Sequence, residues 1–93
     1  MATVAIRVVI EGRVQGVWYR GWTIDQARAL GLDGWVRNRM DGTVEAVFSG
    51  QEDKVRAMIE ACRTGPPAAR VTRVHETSDH PPGERGFHQL PTK

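Results

Sequence analysis

Apolar and polar residues alternate with a period of two close to the start of the chain. The apolar positions of this pattern are Val4, Ile6, Val8 and Ile10. A period of two places successive side chains on opposite faces of an extended chain, so this stretch predicts a first β-strand.

Two later stretches carry apolar residues at helical spacing. One face of the first is formed by Tyr19, Thr23, Ala27 and Leu30, and one face of the second by Val55, Met58, Ile59 and Cys62. The spacing predicts a helix that stops near Gly31 and a second helix over residues 51–63. The run Gly65-Pro66-Pro67 is expected to end the second helix.

The remaining apolar runs are β-rich. Residues 32–38 and 43–50 flank an Asp41-Gly42 turn, which predicts a hairpin. Residues 69–77 predict a further strand, and residues 87–90 a short final one. The order β-α-β-β-α-β is typical of the α+β class, in a ferredoxin-like sandwich. Because each helix has a single apolar stripe, we expect an antiparallel sheet with two helices on one face.

The length and composition of the chain bear on the number of domains, the cellular compartment and the kind of ligand. The 93 residues suit one domain, so we expect residues 1–93 to form a single domain. No apolar run reaches about 18 residues, and the opening stretch MATVAIRVVIEG lacks a signal-peptide layout, so no membrane segment is expected. The only cysteine, Cys62, cannot form an internal disulfide, and the expected compartment is the cytoplasm. The net charge of +2 suits a small anion as well as nucleic acid.

The junction between the first strand and the first helix, RVQGVWYRG at residues 13–21, has the parts of an anion site. The start of a helix exposes unpaired N–H groups and a partial positive charge. Gly16 lets the backbone turn or approach a ligand closely, and Arg20 adds a guanidinium that can grip phosphate or carboxylate oxygens. The alternative is ordinary turn chemistry with a solvated arginine. No Gly-Lys-Ser/Thr follows, so the loop is not a Walker loop.

Asn38 is the second candidate, at the end of the strand that precedes the hairpin turn. Its amide can donate and accept hydrogen bonds together, so it can hold both a water and a substrate oxygen. The alternative is that Asn38, like many asparagines near turns, bonds its own backbone.

These two stretches together resemble the acylphosphatase family. The family pattern is close to G-x-V-Q-G-V-x-F-R, a helix, G-W-V-x-N, and a glycine-containing turn before V-E. This chain has GRVQGVWYR at 12–20, GWVRN at 34–38 and DGTVE at 41–45. The resemblance continues through the predicted helix 51–63 and strand 69–77, so it covers nearly the whole chain.

The resemblance implies an acylphosphatase that hydrolyses an acyl phosphate to a carboxylate and inorganic phosphate. It places the catalytic arginine on Arg20 and the water-orienting catalytic asparagine on Asn38. The implied phosphate-binding loop consists of Gln15, Gly16, Val17, Trp18, Tyr19 and Arg20. No metal and no cofactor are implied. The expected partner is the small-molecule acyl phosphate, without nucleic acid or membrane, and the expected state is a monomer.

The chain departs from the family pattern at Tyr19, where phenylalanine is usual, and a buried hydroxyl there needs a partner. Arg39 stands where many members carry a small polar residue. Trp18 and Trp22 are bulky for this region. One of them can form a side of the pocket, and the alternative is that both pack on the surface or in the core.

The three histidines lack the spacing of metal ligands: His75, His80 and His88.

Two other functions are compatible with parts of the sequence. RNA recognition domains share the β-α-β-β-α-β order, but the third strand TVEAVFSG lacks their aromatic motif. Acylphosphatase-type domains also occur in larger proteins that handle carbamoyl phosphate, and the short length and the two motif residues argue against that reading.

Overall fold

The computed structural model describes residues 2–93. Its elements are β1 (Thr3–Arg13), α1 (Tyr19–Ala29), β2 (Asp33–Asn38), β3 (Val44–Gln51), α2 (Glu52–Cys62), β4 (Arg70–Ser78) and β5 (Phe87–Gln89). The predicted order of strands and helices is confirmed, with boundaries one or two residues from those expected. Within residues 2–93, no helix combines the length and the hydropathy needed to cross a bilayer.

The strands form one mixed sheet in the order β4-β1-β3-β2-β5. The four longer strands pair antiparallel, whereas β5 pairs parallel with β2. The expected antiparallel pairing is confirmed for these four strands, and the parallel β5 makes the sheet mixed at this edge. Since β4 runs antiparallel to β1, the chain leaves β4 at one end of the sheet and crosses that end along residues 79–86. The next strand then has to run back, in the direction of β2.

Both helices cover the same face of the sheet, as predicted. α1 packs over β2 and β5, and α2 packs over β1 and β3. The strand side chains beneath them are fully or almost fully buried: Ile6, Val8, Ile10, Val36, Val44, Ala46, Phe48 and Phe87. The helices contribute Tyr19, Thr23 and Ala27 from α1 and Val55, Met58, Ile59 and Cys62 from α2. The two helical stripes that the spacing predicts are therefore the buried faces.

Tyr19 links the two helices. Its ring is buried, and its hydroxyl donates a hydrogen bond of 2.6 Å to the carbonyl oxygen of Cys62 at the end of α2. This contact supplies the partner that a buried tyrosine hydroxyl requires. Burial raises the pKa of Tyr19 well above its usual range and that of the Cys62 thiol to about 12, so both groups stay neutral.

The face without helices carries a buried carboxylate that the sequence did not indicate. Glu45 of β3 lies between two neighbouring strands, with Oε2 at 2.7 Å from Nη1 of Arg7 and Oε1 at 2.8 Å from Nε of Arg37. Arg7, which is partly buried, thereby forms an ion pair with this buried carboxylate. The Arg37 guanidinium also lies over the ring of Trp35.

Candidate active site

The loop between β1 and α1 turns through two residues in the left-handed region. Gly16 has φ 74° and Trp18 has φ 67°. A Cβ added at Gly16 would meet no atom within 4 Å, so the space around this part of the loop is open. Gly16 is therefore required by the backbone conformation of the loop and not by close packing.

The side chain of Gln15 ties this loop to the β2–β3 turn. Its Nε2 donates to the carbonyl oxygens of Arg39, at 2.8 Å, and Thr43, at 2.9 Å. Both acceptors belong to the turn that follows Asn38. The loop and the end of β2 are thereby held in a fixed relation to each other.

The backbone N–H groups of this loop are without backbone partners. Among the described residues, none of those from Gln15 to Gly21 makes a backbone–backbone hydrogen bond, and the first bond of α1 runs from Trp22 N–H to Trp18 O, at 3.0 Å. No side chain caps the helix, and its first turn contains no acidic residue. The exposed N–H groups and the positive end of the helix dipole therefore favour an anion here.

Part of this loop lines a pocket of about 210 Å³. Its lining residues are Val14, Gly16, Trp18, Tyr19, Arg20, Gly21, Asn38 and Gln89. Arg20 is partly buried and has no hydrogen bond or ion pair with any described residue. Its positive charge is therefore available to a ligand in the pocket.

Asn38 reaches the pocket because of the alternation along β2. Val36 is buried under the helices, so Asn38, two residues further on, lies on the same face at the end of the strand. Its Oδ1 is buried and has no hydrogen-bond partner among the described residues. The contact of this oxygen with its own backbone, the alternative that the sequence left open, is not formed. A buried acceptor without a partner is uncommon and suits a site that binds a donor.

The structure brings most of the predicted site residues together. Gly16, Trp18, Tyr19, Arg20 and Asn38 line the pocket. The other two predicted residues, Gln15 and Val17, do not line the pocket. The Gln15 side chain binds the β2–β3 turn, and Val17 packs against the core.

Three lining residues were not predicted: Val14, Gly21 and Gln89. Gln89 lies on the same face of β5 as the buried Phe87, so period-two alternation contained the signal for it. That signal has meaning only once β5 is known to lie beside β2. No carboxylate, histidine or cysteine lines the pocket. Within residues 2–93, His, Cys, Asp and Glu side chains form no group of three that could hold a metal ion.

Comparisons with known proteins agree with this arrangement. The family model described as Acylphosphatase matches residues 6–89. A Rhodospirillum rubrum protein named Acylphosphatase is 56% identical over 92 residues, which cover 99% of each chain.

Two solved structures share the fold. That of an acylphosphatase from Coxiella burnetii superposes with a TM-score of 0.90 at 33% identity, covering 95% of this chain and 93% of that one. That of acylphosphatase from Bacillus subtilis gives a TM-score of 0.89 at 34% identity, covering 94% and 98%. With a family model that spans most of its length and a relative that matches it nearly end to end, the chain belongs to the acylphosphatase family.

Proposed function

We propose that this protein hydrolyses acyl phosphates, with the phosphate held by residues 15–20 and the attacking water held by Asn38. The observation that carries the proposal is that one pocket is lined by a loop with unpaired N–H groups, by an unpaired Arg20 and by Asn38, whose Oδ1 has no partner. Family membership supports the same reaction.

The loop and Arg20 bind the phosphate. The N–H groups of the loop residues that line the pocket donate to the non-bridging oxygens, and the guanidinium offers a planar fork of donors to the same oxygens. The loop donors are held by the fold before substrate arrives, because the Gln15 side chain ties the loop to the β2–β3 turn, and the first turn of α1 carries Arg20. Fixed donors stabilise the charge on the phosphoryl oxygens in the transition state without having to reorganise.

Asn38 positions the nucleophile. Its Oδ1 accepts a hydrogen bond from a water, which leaves a lone pair of that water directed at phosphorus. The water oxygen forms a new bond to phosphorus while the bond from phosphorus to the acyl oxygen breaks, and the electron pair leaves with the carboxylate. Attacking and leaving oxygens are in line in such a displacement. The products are a carboxylate and inorganic phosphate.

The reaction does not require a protein base. No lining residue is a carboxylate or a histidine, so the proton of the water passes to a phosphoryl oxygen of the substrate. The carboxylate is a good leaving group and needs no general acid. Positioning and charge stabilisation are the contributions that phosphoryl transfer chiefly demands.

We propose a single domain that acts as a monomer in the cytoplasm, without a metal or a cofactor and without nucleic acid as a partner. Release of phosphate is then insensitive to a chelator of divalent cations.

Release of inorganic phosphate from benzoyl phosphate and acetyl phosphate tests the proposed function. Replacing Arg20 with alanine is expected to lower kcat/KM by about a hundredfold or more, because a charged donor to the transferred group is lost. Arg13→Ala is the matched control: Arg13 is exposed at the end of β1 and does not line the pocket. Equal effects of the two substitutions, or turnover of Arg20→Ala at the wild-type rate, would contradict the assignment.

A further inference from the structure

Two large hydrophobic side chains are exposed in the part of the chain that the structure describes, and one of them, Trp18, lines the pocket. Trp18 is 63% exposed and precedes α1, and Met40 is 87% exposed in the β2–β3 turn, two residues after Asn38. The Gln15 side chain joins these two segments. An exposed aromatic side chain that lines a pocket is placed to contact a ligand held there.

The indole of Trp18 has a defined place at this pocket. A Cβ added to Gly21 would overlap the indole nitrogen and the adjoining ring carbons, so the ring lies directly on the backbone of the first turn of α1. The indole can lie this close to the backbone because Gly21 has no side chain. Although the ring is largely exposed, its orientation is therefore set by contact, and one of its faces or edges borders the pocket.

The backbone of Trp18 is in a conformation that a bulky residue seldom adopts. Its φ of 67° and ψ of 24° lie in the left-handed region, which glycine and asparagine occupy at lower cost. A tryptophan that is 63% exposed contributes little to the core. Neither the local conformation nor burial in the core accounts for tryptophan at this position, and the exposed part of its ring at the pocket is free to contact a ligand.

We propose that the Trp18 indole binds the acyl group of the substrate, and that the protein therefore prefers aromatic or other planar apolar acyl phosphates to acetyl phosphate. This inference rests on the proposed function. With the phosphate in the loop and the water at Asn38 on β2, in-line displacement directs the acyl group away from Asn38. Trp18 lines the pocket from the other element, at the start of α1. An aromatic acyl group stacks on an indole, but a methyl group covers little of it.

The test is the selectivity ratio, kcat/KM for benzoyl phosphate divided by kcat/KM for acetyl phosphate. In Trp18→Asn, which removes the ring and tolerates the left-handed backbone, the ratio is expected to fall about tenfold. Trp18→Phe is expected to retain most of the wild-type ratio. Gly21→Ala keeps the tryptophan, but the added methyl group displaces the indole from the backbone of α1. The selectivity ratio is therefore expected to fall in this variant as well.

Trp35→Phe is the matched control, because Trp35 lies on the helix-free face and does not line this pocket. Its ratio is expected to equal that of the wild type. An unchanged ratio in Trp18→Asn, or an equal loss on both substrates, would overturn the inference and leave the proposed function standing. A wild-type protein that hydrolyses neither substrate would instead overturn the proposed function, and this inference with it.

Discussion

Asn38 places a buried acceptor oxygen where no described donor reaches it. If this oxygen holds the attacking water, Asn38→Ala lowers kcat by about 10²–10³, the usual effect of removing one preorganised polar group. Because the Oδ1 atom has no protein partner to lose, the free energy of unfolding is expected to fall by no more than about 1 kcal/mol. Steady-state kinetics and urea unfolding measure the two effects. Strong destabilisation with little loss of kcat would make Asn38 a structural residue.

Some residues of the site could be predicted from the sequence, whereas the conformation and contacts of others could not. The motif stretches contain Arg20 and Asn38, and the structure brings both to one pocket. The left-handed backbone of Trp18 could not be predicted, because tryptophan has no preference for that region. Nor could the contacts of Gln15, since its acceptors lie 24 and 28 residues further along the chain.

The loop between β1 and α1 depends on its link to the hairpin. In Gln15→Leu both hydrogen bonds to the β2–β3 turn are lost, leaving the carbonyl oxygens of Arg39 and Thr43 without this donor. We expect the free energy of unfolding to fall by about 1–3 kcal/mol. Because the loop N–H groups are then less well positioned, KM for benzoyl phosphate and the inhibition constant of inorganic phosphate should both rise.

The comparison variant for the loop is Gln26→Leu, an exposed glutamine on α1. Hydrogen exchange would report the loosening directly, as faster exchange at residues 15–21 in Gln15→Leu and unchanged exchange there in Gln26→Leu. A loop as well protected in Gln15→Leu as in the wild type would show that the two hydrogen bonds do not hold it.

Elements with strong periodicity were predictable. The stripes of α1 and α2 and the alternation of β1 indicate their type and their buried faces, because each of these elements packs one face against the core. The pairing of β5 was not predictable in the same way. The strand β5 has only three residues, which are too few to show a periodic pattern. Its direction follows from the path of residues 79–86 across the end of the sheet.

The stability of the whole molecule should depend on pH through Glu45. Burial raises the pKa of this carboxyl, but the hydrogen bonds and charges of Arg7 and Arg37 outweigh burial and hold the pKa below its usual value. The ionised form therefore stabilises the fold above the unfolded-state pKa, and this contribution is lost as the pH falls through the folded-state pKa. Glu45→Gln is expected to lower the free energy of unfolding at about pH 7 by about 1–3 kcal/mol.

The difference between wild type and Glu45→Gln should narrow as the pH falls below about 4, where the wild-type carboxyl also loses its charge. Urea unfolding over a series of pH values measures this difference in the free energy of unfolding. Glu84→Gln is the control, because the Glu84 side chain is 85% exposed. A difference that is constant over pH would mean that the charge of Glu45 does not contribute.

The burial of Glu45 also shows why the fold was more predictable than its charge network. The order of strands and helices follows from local patterns along the chain. The ion pairs of Glu45 depend on the order of strands in the sheet, which sets β3 between β1 and β2 and so brings two arginines to one carboxylate. No pattern within β3 alone reports these neighbours.

Hydrolysis of benzoyl phosphate in water enriched in oxygen-18 shows whether water attacks phosphorus or the acyl carbon, because the product that receives the water oxygen carries the label. If the loop and Arg20 hold the phosphate while Asn38 directs water at phosphorus, one labelled oxygen enters inorganic phosphate and none enters benzoate. Label in the benzoate would mean attack at the acyl carbon, and would contradict the account.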